Sequence, residues 1–315
     1  MSPGSIPLLA VVGPTASGKS QAAIELARRF DGEVVAADSM QVYRYMNIGT
    51  AKPSLRERAL VPHHLVDVRF PDEDFSVADY QRLARQAVGD IAGRGRLPIL
   101  AGGSGLYVRA VVDAYQFYAL ETDNALRAAL HAEARRHGAA TLHRRLAACD
   151  PAAAARIHPN DLRRVVRALE VYTRTGVPIS ELQGRPPRSP YNLIMAGIAT
   201  DRRELYQRID GRVDAMAAAG LAEEVRGLLQ RGYGPKLRSM QALGYRELAL
   251  HWAGELTLAA ALDLIKLNTR HFARRQMTWF SRDPRIAWIS AAHFGSPEYI
   301  VPEIARRLKG KWGRE

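Results

Sequence analysis

Short apolar runs at residues 7–12, 33–37, 65–68, 97–101 and 193–199 alternate with stretches whose apolar positions recur every three or four residues. Runs this short and this apolar fit strands covered on both faces. Helical patterns between most of them predict a parallel, doubly wound sheet. Ser76 followed by Asp79 forms a capping box for a helix over 77–92, which Gly93 and Gly95 stop. From 121 to 190 the pattern changes. No strand-like run occurs, and helices are predicted over 124–137, 139–148 and 162–175, rich in arginine. The turn-rich run 184–190 closes this stretch. The expected organisation is therefore a core in two parts, 1–120 and 191–315, interrupted by an all-helical insertion at 121–190. Long helices are expected again over 202–230 and 258–280.

A chain of 315 residues, 47% hydrophobic and 24% charged, has room for about two globular domains. Its longest apolar runs are strand-sized, and no basic segment precedes the first one, so neither a membrane span nor a signal peptide is expected. The single cysteine, Cys149, excludes an internal disulfide and a Cys-based zinc site, which fits a cytoplasmic location. The pair His63-His64 has no carboxylate or third ligand at metal spacing and reads as structural. Lys and Arg outnumber Asp and Glu by 45 to 32, a net charge of +13. That excess favours a polyanionic partner, most simply nucleic acid. An Arg- and Ala-rich composition inherited from a high-GC genome gives the same number without a partner.

Candidate chemistry begins at residues 13–20, Gly13-Pro14-Thr15-Ala16-Ser17-Gly18-Lys19-Ser20, directly after the first apolar run. This is the complete G-x-x-x-x-G-K-[ST] pattern. Its turn aims backbone N–H groups at a phosphate, Lys19 adds a cation, and the Ser20 hydroxyl suits Mg²⁺. The expected fold class is α/β: a P-loop NTPase-like parallel sheet flanked by helices, with the helical insertion. Asp38-Ser39-Met40-Gln41 follows the second strand at the sheet edge where ligands bind, with Asp38 either a general base or a helix cap. Gly102-Gly103-Ser104-Gly105 follows a later strand and brings another hydroxyl to that edge. No acid ends this strand, which weakens an ATPase reading. Arg163, Arg164 and Arg167 share one helix side, as a nucleic-acid contact or a solvated basic face. Arg270, His271, Arg274, Arg275, Gln276 and Trp279 mix cations with an aromatic, which suits single-stranded nucleic acid, although Phe272 and Trp279 also fit a core.

Taken together, GPTASGKS at 13–20, DSMQVY at 38–43, NIGTAKP at 47–53, PHHL at 62–65, GGSGLY at 102–107, RRVVRALEVY at 163–172, QALGYR at 241–246 and RRQMTWF at 274–280 resemble the tRNA dimethylallyltransferase (tRNA isopentenyltransferase) family. The match runs over nearly the whole chain. It implies transfer of a dimethylallyl group from dimethylallyl diphosphate to N6 of adenosine 37, in tRNAs reading codons that begin with U. By this resemblance residues 13–20 and Arg212 bind the diphosphate, Mg²⁺ is the cofactor, Asp38 accepts the N6 proton, and Ser104 touches the amine or diphosphate. Asp38, Ser39, Met40, Gln41, Ser104, Gln241, Ala242, Leu243, Gly244, Tyr245 and Arg246 would line the adenosine pocket. Arg127, the run Arg163, Arg164, Val165, Val166 and Arg167, and Arg274 with Arg275 would hold the tRNA anticodon stem-loop. Ser104 stands where the family usually has Thr, Arg163 where it commonly has Gln, and residues 114–122 depart from its Pro-rich pattern. No membrane association and a monomeric state are expected. Alternatives are an isopentenyltransferase of free adenine nucleotides, which needs no arginine-rich insertion, a P-loop small-molecule kinase, and an RNA-binding protein with a vestigial loop.

Overall fold

The structure is a computed structural model describing residues 6–114, 123–183, 189–290 and 297–313. The chain divides into two compact units, Met1–Asp113 with Ser189–Glu315, and Ala114–Arg188.

In the larger unit β1 (Pro7–Val12), β2 (Gly32–Ala36), β3 (His63–His64), β4 (Leu97–Gly102), β5 (Asn192–Ala199) and β6 (Ile286–Ser290) form one sheet. Its order is β3-β2-β4-β1-β5-β6 and every pairing is parallel. All carboxyl ends therefore share one edge, with β1 near the middle, where Val12 lies opposite Gly102 on one side and Gly197 on the other. The two-residue period of a strand divides β1 between layers. Leu8, Ala10 and Val12 join one core and Leu9 and Val11 the other, which explains why the run is apolar throughout.

The helix Val77–Gly93 has the expected capping box: Ser76 Oγ accepts the Asp79 N–H at 3.1 Å, and Asp79 Oδ2 accepts the Ser76 N–H at 3.0 Å. Two expectations are corrected. Residues 65–68 are not a strand, because Leu65 (φ 62°) and Asp67 (φ 59°) take left-handed conformations; the strand is His63–His64. The long helix over 202–230 is two, Arg202–Ala218 and Leu221–Gln230, divided at left-handed Gly220 (φ 93°). Strand β6 was not anticipated; it is a short edge strand paired through β5. His64 meets a carboxylate distant in sequence, with Glu33 Oε2 2.6 Å from its Nε2. Glu33 is buried and bonded by Arg94 and Arg96 as well. Those three partners overcome the desolvation that opposes them and hold its carboxyl down at about 2.

The smaller unit contains the helices Asn124–His137, Ala139–Cys149, Pro151–Ala154, Leu162–Thr175 and Ile179–Gln183. Leu130, Leu142, Leu146, Val165, Val166 and Leu169 fill its centre. Most of 114–122 and of the turn-rich run 184–190 lies outside the described residues. Among the described residues no helix is long and apolar enough to cross a membrane.

Candidate active site

The loop after β1 is built for an anion. The helix Lys19–Arg29 starts at left-handed Gly18 (φ 88°) with no side-chain cap and no acid in its first turn. Its first amides thus face outward along the positive end of the helix dipole. Lys19 Nζ donates to Pro14 O at 3.0 Å, and Arg212 Nη1 donates to Thr15 Oγ1 at 3.4 Å. Burial, reinforced by the Arg212 charge, pulls the Lys19 ammonium down to about 8, while Asp38 pulls the other way. Burial also lowers Arg212. Two cations sharing one half-dry site is unfavourable until an anion joins them. Ser17 Oγ, buried in the same loop, has no hydrogen-bond partner among the described residues.

The other strand ends close around this loop. Asp38 Oδ1 accepts the N–H of Met40 at 2.8 Å and, more weakly, of Gln41 at 3.4 Å, which fixes the carboxylate and leaves Oδ2 without a hydrogen bond among the described residues. Ser104, at the start of the helix Gly105–Val112, accepts the Ser39 N–H at 3.1 Å. Gln276, buried in the helix Leu258–Phe280, joins two loops through one amide: Oε1 accepts the Thr15 N–H at 2.8 Å and Nε2 donates to Gly103 O at 2.9 Å. The cavity here holds about 260 Å³. Thr15, Asp38, Ser39, Ser104 and Arg212 are among its polar groups, and Met40, Ile209, Val213, Met216, Ile265 and Phe272 form much of its apolar wall.

Ser20 is exposed and opens on a smaller cavity of about 60 Å³. No cluster of three or more His, Cys, Asp or Glu side chains suits a metal among the described residues. One exposed hydroxyl with no carboxylate cage is the donor set expected for Mg²⁺ carried by a diphosphate and water, so the residues fit that ion.

Residues 41–283 match the family described as IPP transferase. The chain is 52% identical to the tRNA dimethylallyltransferase of Symbiobacterium thermophilum, over 98% of this chain and 96% of that one. The chain belongs to the tRNA dimethylallyltransferase family. The crystal structure of the Bacillus halodurans tRNA isopentenylpyrophosphate transferase is similar at 43% identity and a TM-score of 0.74, covering 98% of this chain and 97% of that one. A eukaryotic dimethylallyltransferase, solved in snapshots acting on tRNA, is similar at 28% identity and a TM-score of 0.84, covering 97% and 79%.

For a member of this family, the structure sorts the expected contacts. Asp38, Ser39, Met40 and Ser104 line the cavity together with Gln241, Ala242, Leu243 and Gly244. Gln41 does not; its Nε2 donates to Thr50 O and Ala51 O and braces that loop. Tyr245 is fully buried with its hydroxyl on Glu224, and Arg246 turns to Glu247, so neither lines the cavity. Val165 and Val166 are core residues of the smaller unit and are closed to RNA. Arg127 donates twice to Glu170, at 2.9 and 2.8 Å, and Arg167 once, at 2.6 Å. Glu170 is fully buried, so these arginines balance an internal charge. Arg163 and Arg164 are exposed, as are Arg274 and Arg275. Gln276 was missed as a loop bridge, although Ala273, Gln276 and Phe280 share a buried stripe at helical spacing.

Proposed function

We propose that the protein transfers the dimethylallyl group of dimethylallyl diphosphate to N6 of adenosine 37 in tRNAs reading codons that begin with U. The observation carrying this reading is that a phosphate-binding loop and an immobilised carboxylate meet at one largely apolar cavity. A kinase reading gains no comparable support, because the cavity beside the loop is walled by Met, Ile, Val and Phe side chains suited to a hydrocarbon.

The adenine amine is a weak nucleophile, since its lone pair is delocalised into the ring. Rate therefore depends on stabilising the departing diphosphate as the C1–O bond lengthens and the C1–N6 bond forms. The outward amides at the start of the Lys19–Arg29 helix, the Lys19 ammonium and the Arg212 guanidinium meet that growing charge. Mg²⁺, held by the Ser20 hydroxyl together with diphosphate oxygens, would supply further neutralisation of the leaving group. The N6 proton becomes acidic as the new bond forms, and Asp38 Oδ2 is the acceptor. Ser104, fixed by the Ser39 amide, positions the amine or a diphosphate oxygen. Exposed Arg163 and Arg164, with Arg274 and Arg275, contact the phosphates of the anticodon stem-loop, whose unpaired bases are cheap to extrude. The enzyme acts in the cytoplasm as a monomer.

The deciding experiment incubates the protein with tRNA, Mg²⁺ and either dimethylallyl diphosphate or ATP, then weighs the nucleosides. A dimethylallyl adduct on adenosine at position 37, dependent on the prenyl donor, is expected. Adducts on free adenine nucleotides alone, or phosphorylation from ATP, would overturn the reading.

A further inference from the structure

The helix Leu221–Gln230 carries one carboxylate that ties together two stretches of the cavity wall. Glu224 accepts the backbone N–H of Asn47 at 2.9 Å, of Ile48 at 3.1 and 2.9 Å through its two oxygens, and of Gly49 at 3.3 Å. Its Oε1 also accepts the Tyr245 hydroxyl at 2.6 Å. Gly49 and Thr50 line the cavity on one side of this junction, and residues 241–244, directly before Tyr245, line it on the other. The two are in contact: a Cβ added at Gly49 would come within 2.4 Å of the Tyr245 ring. Three successive amides converging on one point form an anion-binding concavity, and here the protein fills it with its own side chain. Bonds to an ionised acceptor are the stronger kind, so this junction is stiff.

We propose that Glu224 is a positioning residue that holds these two wall segments closed and thereby keeps water from the allylic carbon. The proposal rests on the prenyl-transfer reading above. Positive charge at C1 makes it reactive toward any nucleophile within reach. In productive transfer the C1–O bond breaks, the C1–N6 bond forms, diphosphate leaves and the N6 proton passes to Asp38. With water in place of the amine, the same C1–O bond breaks, a C1–O bond to water forms and water loses a proton. The products are then dimethylallyl alcohol and diphosphate. Diphosphate released in excess of adenosine prenylated thus measures how well the wall is sealed.

The test uses the full chain with tRNA, Mg²⁺ and dimethylallyl diphosphate, counting both products. The wild-type ratio of diphosphate to prenylated adenosine should lie near one. Glu224→Gln, which sets an amide N–H against backbone N–H groups, should raise the ratio several-fold. Tyr245→Phe keeps the ring against Gly49 and all the amide bonds, so its ratio should rise less. Folded variants, by circular dichroism and melting temperature, that lose rate with the ratio unchanged would reduce Glu224 to a structural brace and overturn the proposal. If Glu224→Gln does not fold, the Tyr245→Phe ratio decides alone. A wild-type protein that prenylates no tRNA would instead sink the transfer reading on which this rests.

Discussion

Cations are handled oppositely at two places in this protein. In the smaller unit Arg127 and Arg167 converge on Glu170, a buried carboxylate whose pKa they lower against the cost of its own desolvation. In the larger unit Lys19 and Arg212 are drawn out of water with no carboxylate salt bridge among the described residues, and both lose basicity through burial. The first arrangement is complete in itself and holds helices together. The second lacks such a partner, and an incoming anion would relieve it. A sequence tally of +13 counts both alike. What separates them is whether the protein supplies the counter-charge.

Asp38 is, among the described residues, the carboxylate that acts on both Lys19 and Arg212, so it tests this contrast most severely. If it served as their counter-ion, removing it would disrupt the loop. As the base, Asp38→Asn should cut turnover by about 10²–10⁴-fold. Diphosphate binding should be unchanged or tighter, and tRNA affinity within a few-fold. Single-turnover kinetics with separate binding titrations read both; parallel loss of binding and rate would make Asp38 a recognition or loop-holding residue. Lys19→Ala should lower kcat/KM for dimethylallyl diphosphate by about 10²–10³-fold. Unchanged kinetics would refute the leaving-group role of the loop.

Much of the larger unit could be read from residue order because its strands are buried on both faces and its turns carry glycine. The phosphate loop was visible for the same reason, as a local pattern. Polar contacts between distant segments were not. Gln276 meets Thr15 across 261 residues and Glu224 meets Ile48 across 176, and nothing near either glutamine or glutamate announces the partner. Val165 and Val166 belong to an RNA-binding run only when 163–167 is read as a block; helical periodicity turns them inward. Arg127 had a legible charge and an illegible partner.

Within the smaller unit, Glu170→Gln should cost about 1–2 kcal/mol, below the roughly 3–5 of a fully buried pair, because both arginines are partly exposed and rehydrate. Chemical denaturation monitored on that unit reads the loss, while the KM for dimethylallyl diphosphate should hold. Removing Arg163 and Arg164 should leave stability within about 0.5 kcal/mol and weaken tRNA binding. The salt dependence of affinity should flatten by about one unit of slope for each phosphate that is no longer neutralised. An unchanged slope would return this helix face to ordinary solvation.

The smallest effect is the most discriminating, because the two arrangements titrate at opposite ends of the pH scale. Lys19 binds its proton less tightly folded, at about 8, than unfolded, near 10.5. Between those values the unfolded chain holds more protons, so Lys19 makes the ligand-free protein gain stability as pH rises. A diphosphate restores the ammonium, so binding near pH 9 should take up a fraction of a proton. Calorimetry in buffers of different ionisation enthalpy measures that uptake, and Lys19→Ala should abolish it. Glu170 has a slope of the same sign for the opposite reason: its charged form is the one the fold favours, so its contribution is present at neutral pH and is lost as pH falls through a folded value held below the carboxylate range. Proton uptake that survives in Lys19→Ala would show that the anion is met by some other group, and the distinction between completed and waiting cations would fail at its central residue.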